Sequence, residues 1–379
     1  MRLTLVLLIA LAPAWATLLA ATAASLRFAR RPLPPPRQTP PLSVLKPLYG
    51  AEPGLYENLR SVAEQDYPAH QLVLGVADPQ DGALPVARKL IGALPERDIA
   101  LVVAPQRHGS NAKVSNLLNM LPAARHDVLV VADSDIRVGR GYLSAIVAPL
   151  AAPRVGLVTC LYRGRPCGGL WSQLGALAIN FGFLPAALLA EALGAGGGCF
   201  GATIALSRSV LERCGGFLRL RDELADDHRL GAAVRELGLE IVLSRYLVET
   251  CVNEPTLGDL WRHELRWART MRLVAPAGYA GSILMYPVAL ACLAAAASRF
   301  ALTSCAFVAI SCLLRWASAR LVAGALDLRT AKLWLLPVRD LLSFAVFVAS
   351  FLGRSVVWRD RAFRVEASGH LTADGDKVR

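Results

Sequence analysis

The sequence is 379 residues long, enough for two ordinary domains or for one domain and a membrane part. Hydrophobic residues make up 54% of it, a share that is high for a soluble protein and that predicts membrane segments. The formal net charge is +12, and nearly all of the 41 basic residues are arginines. No basic run is interleaved with aromatic residues that could stack on bases, so this charge does not indicate nucleic-acid binding. It favours an anionic membrane surface and an anionic ligand instead.

Residues 3–26 are apolar or small and carry no charge, so they are long enough to cross a bilayer at about 20 residues per span. A cleaved signal peptide is the alternative interpretation, but the apolar stretch is too long for one. Arginines follow at positions 27, 30, 31 and 37, and basic residues after a span favour the cytoplasmic side. We therefore predict a transmembrane anchor over residues 1–27, a stiff linker rich in proline and arginine over 28–42, and then a cytoplasmic domain.

From residue 43 the hydrophobic pattern changes to short runs rich in β-branched residues, which alternate with helical patterns. Strands are predicted at 43–48, 72–77, 99–104, 128–132 and 155–161, and helices at 53–65, 84–94 and 111–121. This alternation favours an α/β fold in which a mostly parallel, Rossmann-like sheet carries helices on both faces. We assign residues 43–275 to this domain.

Two carboxylates separated by one serine, Asp133 and Asp135, follow the strand predicted at 128–132. In an open α/β sheet, ligands bind outside the carboxyl ends of the strands, and two acids placed there need a cation to share the site. The expected ion is Mg²⁺ or Mn²⁺, which takes one or two carboxylates and fills its remaining positions with phosphate oxygens. A solvated loop is the alternative. Asp78 follows the second strand and is expected at the same ligand edge, although a simple turn before Pro79 would also explain it.

Two further sets of charged residues open predicted helices. Lys113 follows the glycine and capping residues 109–112 (GSNA), and because a helix N-terminus attracts anions it is a candidate ligand contact. A solvated lysine is the alternative. Asp226 and Asp227 lie at the start of a helix that continues to about residue 237. Adjacent acids near the ligand edge suit a general base, whereas acids at a helix start are often only caps.

A basic amphipathic helix is predicted over residues 256–273, and it contains His263, Arg266 and Trp267. Residues three and four apart share a helix face, so His263 lies beside both Arg266 and Trp267. The alternative is an interfacial helix whose tryptophan lies at the lipid headgroups.

Three apolar spans follow, at 281–297, 301–326 and 333–352, and they form the predicted membrane part 276–353. The second and third spans contain charged residues. The basic tail, 354–379, favours a cytoplasmic end, but three full crossings from a cytoplasmic domain would put that tail outside. We therefore expect one of the two charged spans to be re-entrant or interfacial.

The chain resembles the processive and lipid-modifying glycosyltransferases of the GT-A fold, whose motifs are D, D-x-D, D and Q/R-x-x-R-W. The matching residues occur in the same order: Asp78, Asp133-Ser134-Asp135, Asp227 and Arg266-Trp267. Within this group the chain is most similar to the ceramide glucosyltransferase family and, closer still, to its bacterial branch, the hopanoid-biosynthesis-associated glycosyltransferases. Supporting stretches are residues 45–50 (LKPLYG), 65–68 (QDYP), 133–138 (DSDIRV) and 263–270 (HELRWART). The likeness covers nearly the whole chain.

The resemblance implies a UDP-sugar donor, a lipid alcohol acceptor and inversion at the anomeric carbon in a single displacement. It implies that Asp78 holds the uridine end and that Asp133 and Asp135 hold the metal on the diphosphate. Asp227 would take the proton from the acceptor hydroxyl. Only the family pattern favours it over Asp226, which is assigned to the substrate site.

Roles for the basic helix follow from the same resemblance. Arg266 would neutralise the leaving diphosphate, and Trp267 would offer an apolar face to the sugar or the lipid. The first position of Q/R-x-x-R-W is His263 here, which departs from the family pattern but can still donate a hydrogen bond to a substrate. Lys113 lies outside this helix and the family motifs, and its contact with the nucleotide is expected only from its place at the start of its own helix.

The expected reaction is transfer of N-acetylglucosamine to bacteriohopanetetrol at the bacterial inner membrane, with the catalytic domain facing the cytoplasm. Glucosylation of ceramide, a sphingolipid, from UDP-glucose is the alternative within enzymes. A membrane scaffold that only binds a nucleotide sugar is a hypothesis of a different class. A polysaccharide synthase with a secretion channel would need more membrane spans than the sequence predicts.

Overall fold

The structure is a computed structural model, and it describes residues 2–33, 38–195, 198–329, 332–353, 355–358, 361–365 and 371–373. Residues 34–37 of the predicted linker and most of the predicted basic tail lie outside these described residues. The α-helices are α1 (Arg2–Ala29), α2 (Leu55–Ala63), α3 (Ala83–Ala93), α4 (Ala112–Met120), α5 (Tyr142–Val147), α6 (Leu170–Ala178), α7 (Leu184–Ala192), α8 (Arg208–Arg213), α9 (Asp226–Glu236), α10 (Leu257–Val274), α11 (Pro276–Gly281), α12 (Pro287–Ala297), α13 (Leu302–Ala325) and α14 (Leu336–Ser350). The β-strands are β1 (Leu42–Leu48), β2 (His70–Val76), β3 (Ile99–Val103), β4 (Val128–Ala132), β5 (Ile136–Arg137), β6 (Val155–Pro166), β7 (Thr203–Ser207), β8 (Glu240–Val252), β9 (Ser355–Trp358), β10 (Arg361–Val365) and β11 (Leu371–Ala373).

The chain divides into two compact units, each built from three separate segments. The sheet unit comprises residues 32–162, 197–251 and 363–379. The helical unit comprises residues 1–31, 163–196 and 252–362. Residues 163–196 and 252–275, which fall inside the predicted domain 43–275, are thus grouped with the helical unit. The predicted domain boundaries stay predictions.

In the described part of the chain, an eight-stranded sheet has the strand order β3-β2-β1-β4-β7-β6-β8-β5. β1 is parallel to β2 and β4, and β2 is parallel to β3. β7 runs antiparallel to β4 and β6, and β5 runs antiparallel to β8. The carboxyl ends of β1, β2 and β4 therefore meet at one edge, which the start of β7 joins.

Side chains of the sheet alternate between two hydrophobic cores, one on each face. In β4, Val130 belongs to the core that contains Leu59 of α2, whereas Leu129 and Val131 belong to the core that contains Leu117 of α4. Consecutive strand residues point to opposite faces, so an uninterrupted apolar run is buried on both sides. The predicted α/β fold with helices on both faces of the sheet is confirmed.

The predicted strands each begin within about two residues of β1, β2, β3, β4 and β6. An apolar run at 203–206 also predicts β7, whereas β5 and β8 of the same sheet are not predicted from the sequence. β5 has only 2 residues. β8 is long, but its alternation is obscured because charged residues such as Glu240 and Glu249 interrupt it and most of its side chains are only half-buried.

Four helices of the described chain are long and apolar enough to cross a membrane: Thr4–Ala29, Leu170–Ala192, Leu302–Ala325 and Leu333–Ser350. The second of them joins α6 and α7 through a π-helical segment, Ile179–Phe183. Pro185 in the first turn of α7 explains this segment, because proline lacks an N–H and crowds the carbonyl four positions earlier. The pair Pro276–Met285 and Pro287–Ala297 is bent by 67°, as in a broken span or a re-entrant loop.

Charged residues inside two of these spans neutralise each other. Arg315 of α13 donates two hydrogen bonds to Asp340 of α14, at 2.8 and 3.0 Å, and both side chains are buried. A bidentate pair removes the net charge that makes such residues costly in a membrane. Both charged spans are continuous helices, and the sharp bend lies in the uncharged segment before them. The expectation that one of the charged spans is re-entrant or interfacial stays a prediction.

We expect Asp340→Ala to destabilise the protein by about 3–5 kcal/mol, because it leaves the guanidinium of Arg315 buried without its partner. The double replacement Arg315→Met with Asp340→Leu should cost far less, because no unpaired charge remains. Thermal unfolding of the full-length protein in detergent micelles measures both changes. Equal losses in the single and double variants would contradict the importance of the pairing.

Candidate active site

The carboxyl end of β4 carries Asp133 and Asp135, and β1 separates it from the carboxyl end of β2. The carboxyl ends of β2 and β4 are therefore two strand spacings, or about 10 Å, apart. Asp78 follows β2 at this edge with an exposed side chain. Its Oδ1 accepts a hydrogen bond from the backbone N–H of Gln80 at 2.8 Å, so Asp78 closes a local turn, and its ligand role stays a prediction.

A second pair of acids is held at the same edge through β7. Because β7 is antiparallel to β4, its first residues lie beside Asp133, whose backbone N–H donates to the carbonyl of Ala202 at 3.4 Å. Gly201 donates its backbone N–H to Oδ2 of Asp227 at 2.8 Å. The other oxygen of Asp227 accepts the N–H of His228 at 2.7 Å. The first turn of α9, which also contains Asp226, is thereby tied to the end of β4.

Lys113 connects the two pairs of acids. Its ammonium lies 2.6 Å from Oδ1 of Asp133, 3.9 Å from Oδ2 of Asp226 and 3.5 Å from the carbonyl oxygen of Gly201. Its side chain is only 13% exposed, so these attractions are screened less than they would be at a surface. The predicted residues Asp133, Asp135, Asp226, Asp227 and Lys113 are thus brought together.

The position of Lys113 is fixed by contacts between the loop before α4 and the loop before α9. Asn111 caps α4 with its side-chain oxygen and donates from Nδ2 to the carbonyl of Glu223 at 2.8 Å. A Cβ atom added to Gly109 would lie 2.5 Å from the carbonyl oxygen of Arg221. Only glycine permits this approach of the two backbones, so Gly109 has a packing role that the sequence did not reveal.

Lys46 supports the turn that contains the two metal-ligand candidates. It is fully buried in β1, and its Nζ donates to the carbonyl oxygens of Asp133 at 2.5 Å and of Ile136 at 3.2 Å. These two carbonyls lie at the two ends of the turn. One side chain therefore fixes both ends.

The middle of this turn has its own contacts. The hydroxyl of Ser134 donates to Glu52 at 2.8 Å, and the amide of Asn58 donates to the Ser134 carbonyl at 3.3 Å. Thr250 of β8 donates to the carboxylate of Asp135, which the antiparallel pairing of β5 and β8 brings alongside. The turn is thus held from β1, from the segment that leads into α2, and from β8.

Four carboxyl groups of the site have raised pKa values. Burial is the largest cause at Asp135, Asp226 and Asp227, and it raises the pKa of Asp226 to about 6 although Lys113 opposes the shift. Burial, with the charge of Asp135, raises the pKa of Glu52 to about 7. The site therefore concentrates more negative charge than its buried setting tolerates easily.

The two lysines respond in opposite directions. Burial lowers the pKa of Lys46 to about 8 despite the nearby carboxylates of Asp135 and Asp133. Burial also disfavours the ammonium of Lys113, but the charges of Asp133 and Asp226 outweigh it and raise the pKa of Lys113 above its usual value. Lys113 is therefore the stable cation of the site.

The donor set suits a divalent ion that takes most of its ligands from substrate and water. Among the residues that the structure describes, no group of three or more His, Cys, Asp or Glu side chains is placed to hold a metal ion. Asp133 and Asp135 supply two carboxylates, which is what Mg²⁺ or Mn²⁺ commonly takes from a protein when phosphate oxygens complete the shell. The accumulated negative charge fits such an ion.

The remaining predicted residues, His263, Arg266 and Trp267, lie on α10 in the helical unit. Nδ1 of His263 is 2.5 Å from Oε1 of Glu254. The imidazole meets the ring of Trp267 edge to face, with centroids 4.3 Å apart and an interplanar angle of 66°. His263 and Trp267 therefore share one face of the helix.

The model of one protein family, described as glycosyl transferase family 21, matches residues 3–371. The chain belongs to glycosyl transferase family 21. The predicted enzyme class is thus confirmed at the level of the family, and so is the resemblance to ceramide glucosyltransferases. The hopanoid-associated branch stays a prediction.

Curated relatives of this family 21 chain are ceramide glucosyltransferases. Ceramide glucosyltransferase 1 of Caenorhabditis elegans is 24% identical over 208 residues, which cover 55% of this chain and 44% of the relative. Ceramide glucosyltransferase of Komagataella phaffii is 32% identical over 125 residues, which cover 32% of this chain and 25% of the relative. The chain spans between about a fifth and about half the length of the curated relatives it matches.

Among solved structures, the mannosyltransferase PcManGT from Pyrobaculum calidifontis, in complex with GDP-Man and Mn²⁺, is similar to this family 21 chain. The TM-score is 0.54 at 21% sequence identity, and the match covers 92% of this chain and 99% of that chain. The likeness confirms the predicted GT-A fold.

Four residues of the site in this family 21 chain were given no role from the sequence: Lys46, Glu52, Asn58 and Thr250. Lys46 could have been recognised from the sequence, because it is the charged residue of a mostly apolar strand and a buried ammonium needs partners. Thr250 leaves none, since a threonine in a half-buried strand is ordinary.

We expect Lys46→Met to weaken Mn²⁺ binding about 10- to 100-fold, because the turn that carries Asp133 and Asp135 loses the donor at both of its ends. Titration of the full-length protein with Mn²⁺, followed by electron paramagnetic resonance of the free ion, measures the change. Lys89→Met is the matched control, because Lys89 lies over the ring of Tyr56 at 5.0 Å. A similar loss in both variants, or none in Lys46→Met, would refute the supporting role.

Proposed function

We propose that the protein is a membrane-bound inverting glycosyltransferase that moves a sugar from a UDP-sugar to the hydroxyl group of a lipid. One observation carries the proposal: Asp133, Asp135, Asp226, Asp227 and Lys113 converge at the ligand edge of a GT-A sheet in a family 21 chain. The apolar helices of the same chain support a lipid acceptor, because a lipid alcohol is poorly delivered through water.

At the donor, Asp78 binds the uridine end, while Asp133 and Asp135 hold Mg²⁺ or Mn²⁺ on the diphosphate. When bound, the ion supplies Lewis-acid stabilisation of the departing UDP. Lys113, 2.6 Å from Asp133, adds a fixed positive charge beside the diphosphate. A nucleoside diphosphate sugar and Mn²⁺ are also what the fold relative from Pyrobaculum calidifontis was solved with.

At the acceptor, Asp227 is the general base. The lipid oxygen attacks the anomeric carbon opposite the diphosphate, one C–O bond forms as the other breaks, and the hydroxyl proton passes to Asp227. The backbone N–H groups of Gly201 and His228 fix the direction of this carboxylate and leave lone pairs for the proton. Asp226 contributes to the binding of the substrate beside it.

The residues of α10 act on the leaving group and the lipid. Arg266 neutralises charge on the departing diphosphate, a task for which a guanidinium is suited. Trp267 offers an apolar ring face to the sugar or the lipid. His263 donates a hydrogen bond to the substrate.

For the substrates, we propose transfer of N-acetylglucosamine to bacteriohopanetetrol at the bacterial inner membrane, with the sheet unit in the cytoplasm. Support comes from the motif resemblance to the hopanoid-associated branch. Glucosylation of ceramide from UDP-glucose is the second candidate, and the names of the curated relatives favour it.

Membranes that contain the protein should be incubated with each lipid and each UDP-sugar, and the products separated and identified by mass. Formation of N-acetylglucosaminyl bacteriohopanetetrol supports the first choice. Glycosylation of ceramide without that of the hopanoid would replace the first choice with the second. Absence of transfer with every pair, together with retained UDP binding, would favour a scaffold that only binds a nucleotide sugar.

We expect turnover to depend on a divalent ion, because Asp133 and Asp135 lie at a strand end where the diphosphate is proposed to bind. Excess EDTA should abolish product formation, and either Mg²⁺ or Mn²⁺ should restore it. The same product assay measures both steps. Full activity in excess EDTA would refute the assignment of Asp133 and Asp135 as metal ligands.

We expect Asp227→Asn to lower kcat by 10²- to 10⁴-fold, equivalent to roughly 3–5 kcal/mol of barrier, because the amide cannot accept the proton. The variant should still fold and bind UDP. Asp226→Asn is the matched control and should be only mildly impaired, since Lys113 keeps its closer partner Asp133. Steady-state kinetics with calorimetric UDP titration compares the two. An inactive Asp226→Asn beside an active Asp227→Asn would move the base one residue earlier.

A further inference from the structure

The helix α10 is held by a buried ion pair that belongs to no recognised motif. Arg339 of α14, which is 1% exposed, donates to the two carboxylate oxygens of Glu264 at 2.8 and 2.6 Å. The guanidinium also donates to Ser343, one turn along its own helix, at 3.0 Å. Ser343 thus fixes the orientation of the guanidinium on α14, and the two terminal nitrogens form a bidentate pair with Glu264 on α10.

A pair of this kind fixes the rotation of α10 about its axis. Glu264 directly follows His263 and lies three positions before Trp267, so its direction determines theirs. Glu254 holds His263 from the other side, at 2.5 Å. Neighbouring residues of α10 are thus anchored by two separate partners, one on α14 and one in the loop before the helix.

The C-terminal end of α10 is fixed to the residues that directly follow α14. Arg269 and Arg272 donate to the backbone carbonyls of Leu352 and Gly353, each at 2.8 Å. The guanidinium of Arg272 also lies 5.5 Å from the ring centroid of Phe351. α10 is therefore attached to α14 through Glu264 and to the residues after α14 through Arg269 and Arg272. It can neither rotate nor slide without breaking charged hydrogen bonds.

The ion pair of Arg315 and Asp340 differs from that of Glu264 and Arg339 in the helices it joins. Arg339 and Asp340 are consecutive, yet Asp340 joins α14 to α13, whereas Arg339 joins α14 to α10. The first pair links two helices of membrane-spanning length. The second links such a helix to the amphipathic helix that carries the family motif.

We propose that Glu264 and Arg339 are positioning residues, which set the rotation of α10 and thereby aim Arg266 and Trp267 for the transfer reaction. The inference rests on the proposed function, because it assigns a task to these side chains in that reaction. It predicts that loss of the pair lowers turnover. Binding of the donor should be retained, because the residues proposed to bind it lie in the sheet unit.

The test uses the full-length protein in detergent micelles. Glu264→Gln should lower kcat at least tenfold, with UDP affinity changed less than about twofold. The charge-swapped double variant Glu264→Arg with Arg339→Glu should recover much of the loss, and Arg339→Lys, which keeps the charge without the two-pronged geometry, should fall between. Glu191→Gln is the matched control, because Glu191 forms a bidentate pair with Arg31 in the same unit, at 2.8 and 3.0 Å. It should leave kcat unchanged.

A second readout does not depend on the substrates. Hydrogen–deuterium exchange of the peptide that covers residues 257–274 should increase in Glu264→Gln, return in the charge-swapped variant and stay at the wild-type level in Glu191→Gln. If the wild-type protein transfers no sugar, the proposed function fails, and the exchange data still show whether the pair holds α10.

The inference is overturned by either of two results. One is unchanged exchange and kcat in Glu264→Gln. The other is a loss of UDP binding and of melting temperature in step with kcat, since that pattern describes general unfolding. Should the swapped variant fail to fold, Arg339→Lys alone distinguishes a positioning role from general unfolding. A positioning role predicts a lower kcat with unchanged UDP affinity, and general unfolding predicts the loss of both.

Discussion

Negative charge concentrated at one edge of the sheet is the constraint on which the surrounding structure depends. Asp133, Asp135, Asp226 and Asp227 lie near one another with limited access to water, and like charges in such a setting repel strongly. Lys113 reduces this repulsion because its ammonium lies between the two pairs. Three contacts keep charges of opposite sign close together: the approach of the two loops at Gly109, the cap at Asn111 and the hydrogen bonds of the buried Lys46.

The same constraint explains the division of labour between the two lysines. Lys46 donates to backbone carbonyls, so it shapes the turn without cancelling a carboxylate. Lys113 pairs directly with carboxylates and therefore changes the charge that a ligand meets. A phosphate-bearing donor would find a cation already in place, and a divalent ion would find Asp135 held by Thr250 in the same turn as Asp133. Positive and negative groups are arranged in advance, which lowers the reorganisation needed on binding.

Much of this could be predicted because it depends on local patterns. An apolar strand followed by Asp133 and Asp135 predicts its place at the ligand edge, and the helix start at Asp226 follows from the preference of acidic residues for the first turn of a helix. The supports of the site are different. Asn58, Glu52 and Thr250 approach the turn from elements far apart in the chain, and no spacing rule relates them to it. The ion pair of Arg315 and Asp340 could not be predicted for the same reason, because it exists only once α13 and α14 pack.

The division of the helical unit into three chain segments also has a consequence for biosynthesis. Leu11 and Ala14 of α1 pack against Leu290 and Ala291 of α12, and Thr22 meets Ser318 of α13 at 2.6 Å. At about 5–20 residues per second, α1 must wait roughly a quarter of a minute to a minute on the ribosome before these partners emerge. During that time three of its hydroxyl groups need no neighbour, since Thr17, Thr22 and Ser25 each donate to a carbonyl four residues earlier in their own helix. Hydroxyl groups that are satisfied within their own helix lower the cost of entering a bilayer before the partner helices arrive.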